Sequence, residues 1–328
     1  MDKAKGEGEG QEPGNGPGGG AGTEEGKGKP KGGESADKGK GAEAVQTTAV
    51  FESRDGDKWK PTAERGNPSR ECIKRVRHDV RSLARDPIPG IFACPDEDVV
   101  TLVHGLVVGP TDTPYEGGFF YFVMRCPDDY PHSPPKVRLM TTGGGTVRFN
   151  PNLYKNGKVC LSILDTWTGP RWTPVNSIGS VLLCIQSLLN DKPYLNEPGF
   201  EDRADPQDVR DHSDCIQHET IRVAVYQMVG TTSLARSLPG DIRTLTRSLF
   251  DCFLYHYRDV CEQNMHRDGQ PMRDPFKSNK GLFQYGALLR KINQIAKENQ
   301  AGANDQGGAT GEGSEVQQQG SDLQHMKV

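Results

Sequence analysis

Three stretches of the sequence decide the fold: Thr101-Leu-Val-His-Gly-Leu-Val-Val108, Gly118-Phe-Phe-Tyr-Phe-Val-Met-Arg125 and Lys136-Val-Arg-Leu-Met140. Each is rich in β-branched or aromatic residues and is separated from the next by turn-forming residues, as is typical of strands. The first connector is short enough for an antiparallel hairpin. Several prolines in the second connector prevent a strand from continuing through it. The stretches therefore predict an antiparallel β-meander.

Apolar residues at helical spacing flank the meander on both sides. Upstream, the spacing predicts a helix that opens at Pro68-Ser69 and that Pro87 closes. Downstream, a buried helix is predicted with Pro174 at its first position and its end near Asn190. Further helices are expected over 215–228, 242–265 and 282–295. Because the strands are consecutive, the order of elements indicates an α+β domain rather than a doubly wound sheet.

Both ends of the chain differ in composition from its middle. Residues 1–50 are rich in glycine, glutamate and lysine and contain no Phe, Tyr or Trp, and the last 28 residues repeat this pattern with Gly, Gln, Ser and Asp. Such segments cannot bury enough apolar area to offset the entropy of ordering. We expect disordered tails over 1–66 and 299–328, a principal domain over 67–228 and a helical extension over 229–298.

Charge and cysteine content bound the class of protein. A formal net charge of -4 gives no strong field for nucleic acid. No apolar run approaches the roughly 18 residues of a membrane span, and the N-terminus has no signal-peptide pattern. The eight cysteines are dispersed without zinc-site spacing, which indicates reduced thiols and no metal. We expect a soluble, intracellular protein.

Three motifs surround a long loop without clear periodicity over 147–172. Tyr130-Pro131-His132-Ser133-Pro134-Pro135 precedes the third strand, and its aromatic-proline pair favours a cis bond. Asn150-Pro151-Asn152 ends eight residues before Cys160, and Trp172-Thr173-Pro174 follows the loop. Loops of this length inside compact domains are usually functional.

These motifs resemble those of the ubiquitin-conjugating enzyme family. In that family a His-Pro-Asn tripeptide precedes the active cysteine by this spacing, a Tyr-Pro-x-x-Pro-Pro turn lies upstream, and a Trp-x-Pro opens the next helix. The resemblance covers roughly residues 69–228, and three spaced motifs make chance agreement improbable. Longer phrases are most similar to the Z-type members: Thr113-Pro-Tyr-Glu-Gly-Gly-Phe-Phe120, Val147-Arg-Phe-Asn-Pro-Asn152, Cys160-Leu-Ser-Ile-Leu164, Thr166-Trp-Thr-Gly-Pro170 and Asn196-Glu-Pro-Gly-Phe200.

The resemblance implies the ubiquitin-conjugating (UBC) fold, with residues 67–228 as the catalytic domain. It implies that Cys160 accepts ubiquitin or a ubiquitin-like modifier from an activating enzyme as a thioester and transfers it to a substrate lysine, usually with a ligase. No metal or organic cofactor is required. The Z-type resemblance favours charging by the less common ubiquitin-activating enzyme and the handling of a diubiquitin-like modifier. The implied location is the cytoplasm and the nucleus.

The resemblance also implies roles for residues around the nucleophile. The thiolate is the reactive form, and Lys155 and Lys158 offer electropositive support in a loop that we expect to be partly exposed. Asn152 is the implied donor to the carbonyl oxygen on which charge develops, with bracing of the loop as its alternative role. Glu197 lies where family members have an acid before proline, so we prefer it over Asp191 as the group that helps to deprotonate the lysine.

Two binding surfaces follow from the same resemblance. The basic face of the first helix is expected to dock the activating enzyme: Arg70, Lys74, Arg75, Arg77 and Arg81. The ligase surface is expected at His132, Thr173, Pro174 and Val175, beside Trp172, which should pack in the core and anchor the loop.

The chain departs from the family pattern at four places. One is Ser162, where many members carry an acid, so a base for the incoming lysine must come from elsewhere. His132 replaces a phenylalanine common on the ligase surface. Asn150 replaces the histidine of the tripeptide, and asparagine can make similar local backbone hydrogen bonds. The chain between Cys160 and Trp172 is longer than in minimal members, which offers a place for substrate or ligase preference.

Two other functions stay open at the level of sequence. A catalytically silent scaffold that binds ubiquitin is one, although silent variants of the family lack the cysteine. A thiol hydrolase of ubiquitin conjugates is the other, and it needs a histidine that the fold brings to Cys160. Five histidines are candidates: His104, His132, His212, His218 and His256.

Overall fold

The computed structural model describes residues 66–306, with side chains as far as residue 301. The tails that we expect to be disordered, 1–66 and 299–328, lie outside the described residues apart from Gly66 and residues 299–306. Over residues 299–306 the last helix continues to Gln306, so it extends past residue 299, where the tail was predicted to start. All of the described residues belong to one compact unit.

The described residues contain a four-stranded antiparallel sheet in the order β1-β2-β3-β4. Its strands are β1 (Ile91–Pro95), β2 (Leu102–Val108), β3 (Phe119–Arg125) and β4 (Lys136–Leu139). The predicted meander of β2, β3 and β4 is confirmed. The sequence pattern missed β1, which is short and ends in a proline. Since β1 is an edge strand that pairs only with β2, the missing N–H of Pro95 is tolerated.

Two helices cover one face of the sheet. Helix α1 (Arg70–Arg85) begins after Ser69, whose hydroxyl accepts from the N–H of Cys72, and it ends before Pro87 as predicted. Helix α2 (Ile178–Leu188) begins after Ser177, which forms a capping box with Ser180. The prediction that Pro174 opens this helix is therefore wrong, because the serine cap sets the start four residues later.

Helix α2 packs directly against the sheet at Gly105. A side chain there would place its Cβ 2.8 Å from the Leu182 Cδ2 atom, so Leu182 would have to move to make room for it. The first hydrophobic core fills this layer, and alternate residues of β2 and β3 contribute to it, including Val103, Val107 and Phe122.

Further helices follow α2. They are α3 (Pro206–Glu219), a π-helix (Thr220–Tyr226), α4 (Gln227–Val229), α5 (Ser233–Ser237), α6 (Gly240–Gln263) and α7 (Tyr285–Gln306). Among them, α6 and α7 cover the other face of the sheet. The predicted helix over 215–228 starts at Pro206 because Asp205 caps it, and its polar first turns hide this start. Helices α6 and α7 are each within a few residues of their predicted starts.

The C-terminal helices form a second layer on the same sheet rather than a separate platform. Leu106 of β2 and Tyr121 of β3 share the second hydrophobic core with Phe250 of α6 and Leu288 of α7. The Tyr257 hydroxyl also donates to the carbonyl of residue 117 in the β2–β3 connection (2.7 Å). The predicted boundary between the catalytic domain and the extension, after residue 228, falls within α4.

Asp79 joins α1 to the start of α2 and to the proline-rich turn. Its buried carboxylate accepts from Arg75 Nε (2.7 Å), from the Ile178 N–H (3.2 Å) and from the Tyr130 hydroxyl. The peptide bond between Tyr130 and Pro131 is cis, as the sequence favours. Three groups with different positions in the chain therefore depend on one carboxylate.

Replacing Asp79 with alanine should lower the free energy of unfolding by about 2–4 kcal/mol, because the Tyr130 hydroxyl and the Ile178 N–H lose their acceptor and the partly buried Arg75 loses its ion pair. Urea denaturation measures this change. The exposed Asp251 of α6 is the control, and Asp251→Ala should alter stability by less than about 0.5 kcal/mol. A similar small change in Asp79→Ala would contradict the role of this junction.

Candidate active site

The predicted nucleophile, Cys160, lies beside Asn152 at the closing end of a short loop. The Cys160 N–H donates to the Asn152 carbonyl (2.9 Å), and the Cys160 carbonyl accepts from the Asn152 side-chain amide (3.0 Å). The Cys160 side chain is only 2% exposed. The cysteine is buried because Val159 and Leu164 enter the core on either side of it. Lys155 and Lys158 are exposed, so the expectation of a partly exposed loop is confirmed.

Asn150 is fully buried beneath this loop and joins three parts of the chain. Its amide nitrogen donates to the Tyr115 hydroxyl (3.0 Å) and to the Leu188 carbonyl (2.8 Å). Its amide oxygen accepts from the Asn152 N–H (3.0 Å), which is the predicted local backbone bond. Because an amide carries both a donor and an acceptor, asparagine meets all three demands at once.

The Arg148 guanidinium holds the same loop from the other side. It donates to the carbonyl of Pro151 (2.7 Å) and, at longer range, to that of Asn150 (3.3 Å). It also lies 3.5 Å from the carboxylate of Glu197, the predicted acid, whose side chain is 34% exposed. The rival acid, Asp191, is exposed and makes no contact with Arg148 among the ion pairs of the described residues.

Opposing effects act on the Cys160 thiol. Burial raises its pKa, whereas the Lys158 ammonium, a hydrogen bond from Tyr154 and the Arg148 guanidinium lower it. Burial outweighs the other three, so the pKa stays above the ordinary value for cysteine. Lys158 thus acts as predicted, while Lys155 is not among the groups of the described residues that shift this pKa.

The residues predicted to dock the activating enzyme are exposed on α1, except for Arg75. The exposed ones are Arg70, Lys74, Arg77 and Arg81. The Arg75 guanidinium instead turns inward and donates to the carbonyls of Pro174 (2.8 Å) and Asn176 (2.6 Å) as well as to Asp79. Arg75 therefore stabilises the fold. The prediction that it belongs to the exposed docking face is wrong.

The residues predicted to form the ligase surface lie on two adjacent loops. His132, Thr173, Pro174 and Val175 are all exposed, and Val175 is 90% exposed. Trp172 packs in the first core as predicted and donates its indole N–H to the Pro131 carbonyl (2.7 Å). This bond connects the two loops, so the four exposed residues share one side of the molecule.

Comparison with known proteins identifies the family of the chain. Residues 75–213 match the family model described as ubiquitin-conjugating enzyme. The chain is 48% identical over 241 residues to the ubiquitin-conjugating enzyme E2 Z of Xenopus tropicalis, covering 72% of this chain and 76% of the relative. The chain belongs to the ubiquitin-conjugating enzyme family. It is of the Z type and has the UBC fold predicted from its motifs, and it is an E2 transferase.

Other members of the family show how far the similarity extends. The human ubiquitin-conjugating enzyme E2 Z is 48% identical over 246 residues, covering 73% of this chain and 68% of the relative. The human dual E2 ubiquitin-conjugating enzyme/E3 ubiquitin-protein ligase BIRC6 is 44% identical over 161 residues, which are 46% of this chain and 3% of that protein. Similarity to the E2 Z proteins therefore continues well outside the residues matched by the family model.

Several residues of this ubiquitin-conjugating enzyme site were not predicted. Tyr115 and Arg148 lie inside phrases that carry the Z-type resemblance, but the resemblance assigned them no role. Tyr154 lies in the loop and gave no signal of its own. Asn279 contacts Arg148 across 131 residues of chain, so only the fold brings them together.

Three further observations concern the chemistry available to this enzyme. All eight cysteines are free thiols, as predicted. Within residues 66–306, no three or more His, Cys, Asp and Glu side chains are grouped so as to hold a metal ion. No helix in that part of the chain has the length and apolar character needed to cross a membrane.

Replacing Lys158 with glutamine should raise the pKa of Cys160 further, because the thiolate loses a nearby positive charge. Below that pKa, the rate of Cys160 alkylation by iodoacetamide should fall by about two- to fivefold, in proportion to the thiolate fraction. Mass spectrometry of the Cys160 peptide across a pH series measures this alkylation rate. Lys155→Gln is the matched control and should leave the profile unchanged; equal shifts in both variants would refute the specific role of Lys158.

Proposed function

We propose that this ubiquitin-conjugating enzyme carries ubiquitin or a ubiquitin-like modifier as a thioester on Cys160 and transfers it to a substrate lysine. The observation that carries the proposal is the fixed relation of Cys160 to Asn152, within a loop that Asn150 holds from beneath and Arg148 from the other side. Such bracing suits acyl transfer, in which a nucleophile and a hydrogen-bond donor must keep their relative positions.

The transfer has two steps. The Cys160 thiolate attacks the modifier's carbonyl carbon on the activating enzyme, a new C–S bond forms, and the activating enzyme's cysteine leaves as a thiolate. The lysine amine then attacks the same carbon, an amide bond forms, and the Cys160 thiolate leaves. ATP is consumed earlier, by the activating enzyme, so the conjugating enzyme needs no cofactor of its own.

Asn152 is proposed to act in the second step. Its side-chain amide donates to the Cys160 carbonyl (3.0 Å), which is the bracing role. An amide has two N–H donors, so the other can turn to the oxyanion while the brace persists. One residue would then serve both roles.

Glu197 is proposed to accept the proton that the attacking lysine amine loses. Its carboxylate is partly exposed and lies 3.5 Å from Arg148, which itself contacts the Asn150–Pro151 backbone. That pairing keeps the carboxylate beside the active-site loop. Asp191 has an exposed side chain and pairs with neighbouring Lys192 instead (3.9 Å).

The partners proposed are an activating enzyme, ubiquitin ligases and protein substrates. The exposed cations of α1 suit an acidic docking surface on the activating enzyme, and the apolar Val175 beside His132 suits a ligase. We keep the Z-type expectation of the less common activating enzyme and a diubiquitin-like modifier as part of the proposal. The eight free thiols suit the reducing cytoplasm and nucleus, which we propose as its location.

A hydrolase is the rival with the same nucleophile. It would need a histidine at Cys160, but Lys158, Tyr154 and Arg148 are the groups that act on this thiol, with no histidine of residues 66–306 among them. The contacts of the described histidines lie elsewhere, as in the pairs of His104 with Asp96 and His218 with Glu219. Transfer is therefore favoured over hydrolysis.

Thioester formation tests the proposed function directly. The full chain is incubated with ATP, each ubiquitin-activating enzyme, and ubiquitin or a diubiquitin-like modifier, and is run on gels with and without reductant. We expect an adduct that reductant removes and that Cys160→Ala lacks, while Cys252→Ala, which removes an exposed thiol on α6, retains it. Absence of an adduct with every combination would refute the proposal.

The roles of Asn152 and Glu197 are tested by discharge of the preformed thioester. Glu197→Gln should slow discharge to lysine by roughly tenfold or more but leave discharge to hydroxylamine unchanged, because hydroxylamine is already neutral at pH 7. Asp191→Asn is the matched control and should affect neither reaction. Asn152→Ala should slow discharge to both lysine and hydroxylamine, since both reactions form the same oxyanion. If Glu197→Gln slowed discharge to lysine and discharge to hydroxylamine equally, the proposed role of Glu197 would be excluded.

A further inference from the structure

A short segment of the C-terminal extension, residues 274–279, reaches the active-site loop; we call it the clamp segment. Asp274 organises it by accepting from three of its backbone N–H groups, those of Phe276 (3.3 Å), Ser278 (3.1 Å) and Asn279 (2.8 Å). His212 Nδ1 of α3 also contacts the Asp274 carboxylate (2.9 Å). The clamp segment is thus internally bonded and attached to α3.

The charge of Asp274 is part of this arrangement. Burial alone would raise the pKa of the carboxyl group, but the bond with His212 and those from the backbone N–H groups hold it below its usual range. The carboxylate is therefore ionised at neutral pH. An ionised acceptor makes shorter and stronger hydrogen bonds than a neutral one, which favours a rigid clamp segment.

Phe276 projects from the clamp segment towards the site. Its ring lies 4.8 Å from that of Tyr194 and 5.1 Å from that of His212. On the side of the active site, the Arg148 guanidinium lies 5.2 Å from the centre of the Phe276 ring and 4.6 Å from that of Tyr154. Arg148 is therefore in cation–π range of two rings, one from the extension and one from the active-site loop.

Asn279 holds the backbone of the same arginine. Its amide oxygen accepts from the Arg148 N–H (2.9 Å), and its amide nitrogen donates to the Arg148 carbonyl (3.1 Å). One buried side chain thus satisfies both backbone groups of Arg148, as a neighbouring strand would. Phe276 and Asn279 together determine where Arg148 lies.

We propose that the clamp segment is a positioning element for the chemistry of Cys160. It acts through Arg148, which bonds to the Asn150 and Pro151 carbonyls and stacks on Tyr154, the residue that donates to the Cys160 sulfur. The C-terminal extension therefore helps to position the active-site residues. The effect on the thiol stands apart from the proposed function, while the effect on transfer rests on it.

The test compares two phenylalanines of the extension in the full chain. Phe276 and Phe283 each lie under an arginine, but the Phe283 ring contacts Arg267 (6.0 Å) and Tyr285, not Arg148. Alkylation of Cys160 by iodoacetamide is followed by mass spectrometry over a pH series, with Cys252 as the internal reference. The charged or polar groups that act on Cys160 are Lys158, Tyr154 and Arg148.

We expect Phe276→Ala to move the midpoint of the Cys160 profile to higher pH and to slow alkylation at pH 8 about threefold, because a displaced Arg148 and Tyr154 support the thiolate less well. Phe276→Tyr, which keeps the ring, and Phe283→Ala should retain the native midpoint. An unchanged midpoint in Phe276→Ala, or an equal shift in Phe283→Ala, would overturn the proposal. Thermal unfolding confirms that each variant is folded.

A second pair of variants keeps the proposal testable if Phe276→Ala does not fold. Asn279→Ala should shift the same midpoint upwards. Asn293→Ala, which removes a contact between α7 and Arg258 of α6, should not. In the preformed thioester, Asn279→Ala should lower the maximal rate of lysine discharge with little change in the half-saturating lysine concentration. If the native chain forms no thioester, the proposed function fails, while the alkylation profiles still decide this proposal.

Discussion

Burial of the central strands on both faces is the constraint on which the rest of the structure depends. Every residue of β2 and of β3 is buried, whereas antiparallel sheets commonly leave one face in water. Alternate residues enter two separate cores, and each core needs its own layer of helices. Helices α1 and α2 cover one face, and α6 and α7, with the helices before them, cover the other. The C-terminal extension is therefore required by the sheet itself.

The active-site loop is packed against the sheet by the same burial of apolar residues. The loop over 147–172 packs its apolar residues, including Phe149, Val159 and Trp172, into the first core. Its polar backbone is held by Asn150 from beneath and by Arg148 from the side of the extension. A nucleophile that is held on two sides keeps its geometry. The same packing buries the Cys160 thiol and raises its pKa.

Much of the fold could be predicted from sequence because its signals are local. β-Branched and aromatic content, with turn residues between the stretches, identified β2, β3 and β4, and apolar spacing identified α1, α6 and α7. Local patterns failed where a cap or an edge decided the outcome: Ser177 sets the start of α2, and β1 is defined by its pairing with β2. In the site, motif spacing selected Cys160 and Asn152, but the inward turn of Arg75 and the contact of Asn279 with Arg148 depend on residues about 100 or more positions away.

Native-state hydrogen exchange of the full chain tests most directly whether the two layers and the sheet are one unit. The amides compared are those of Phe122 in β3, which faces the first core, and of Ile292 in α7, which faces the second. If both layers are needed to bury the sheet, the two amides should open with the same free energy and the same dependence on denaturant. Opening of α7 at a free energy several kcal/mol lower, with β3 still protected, would contradict the account.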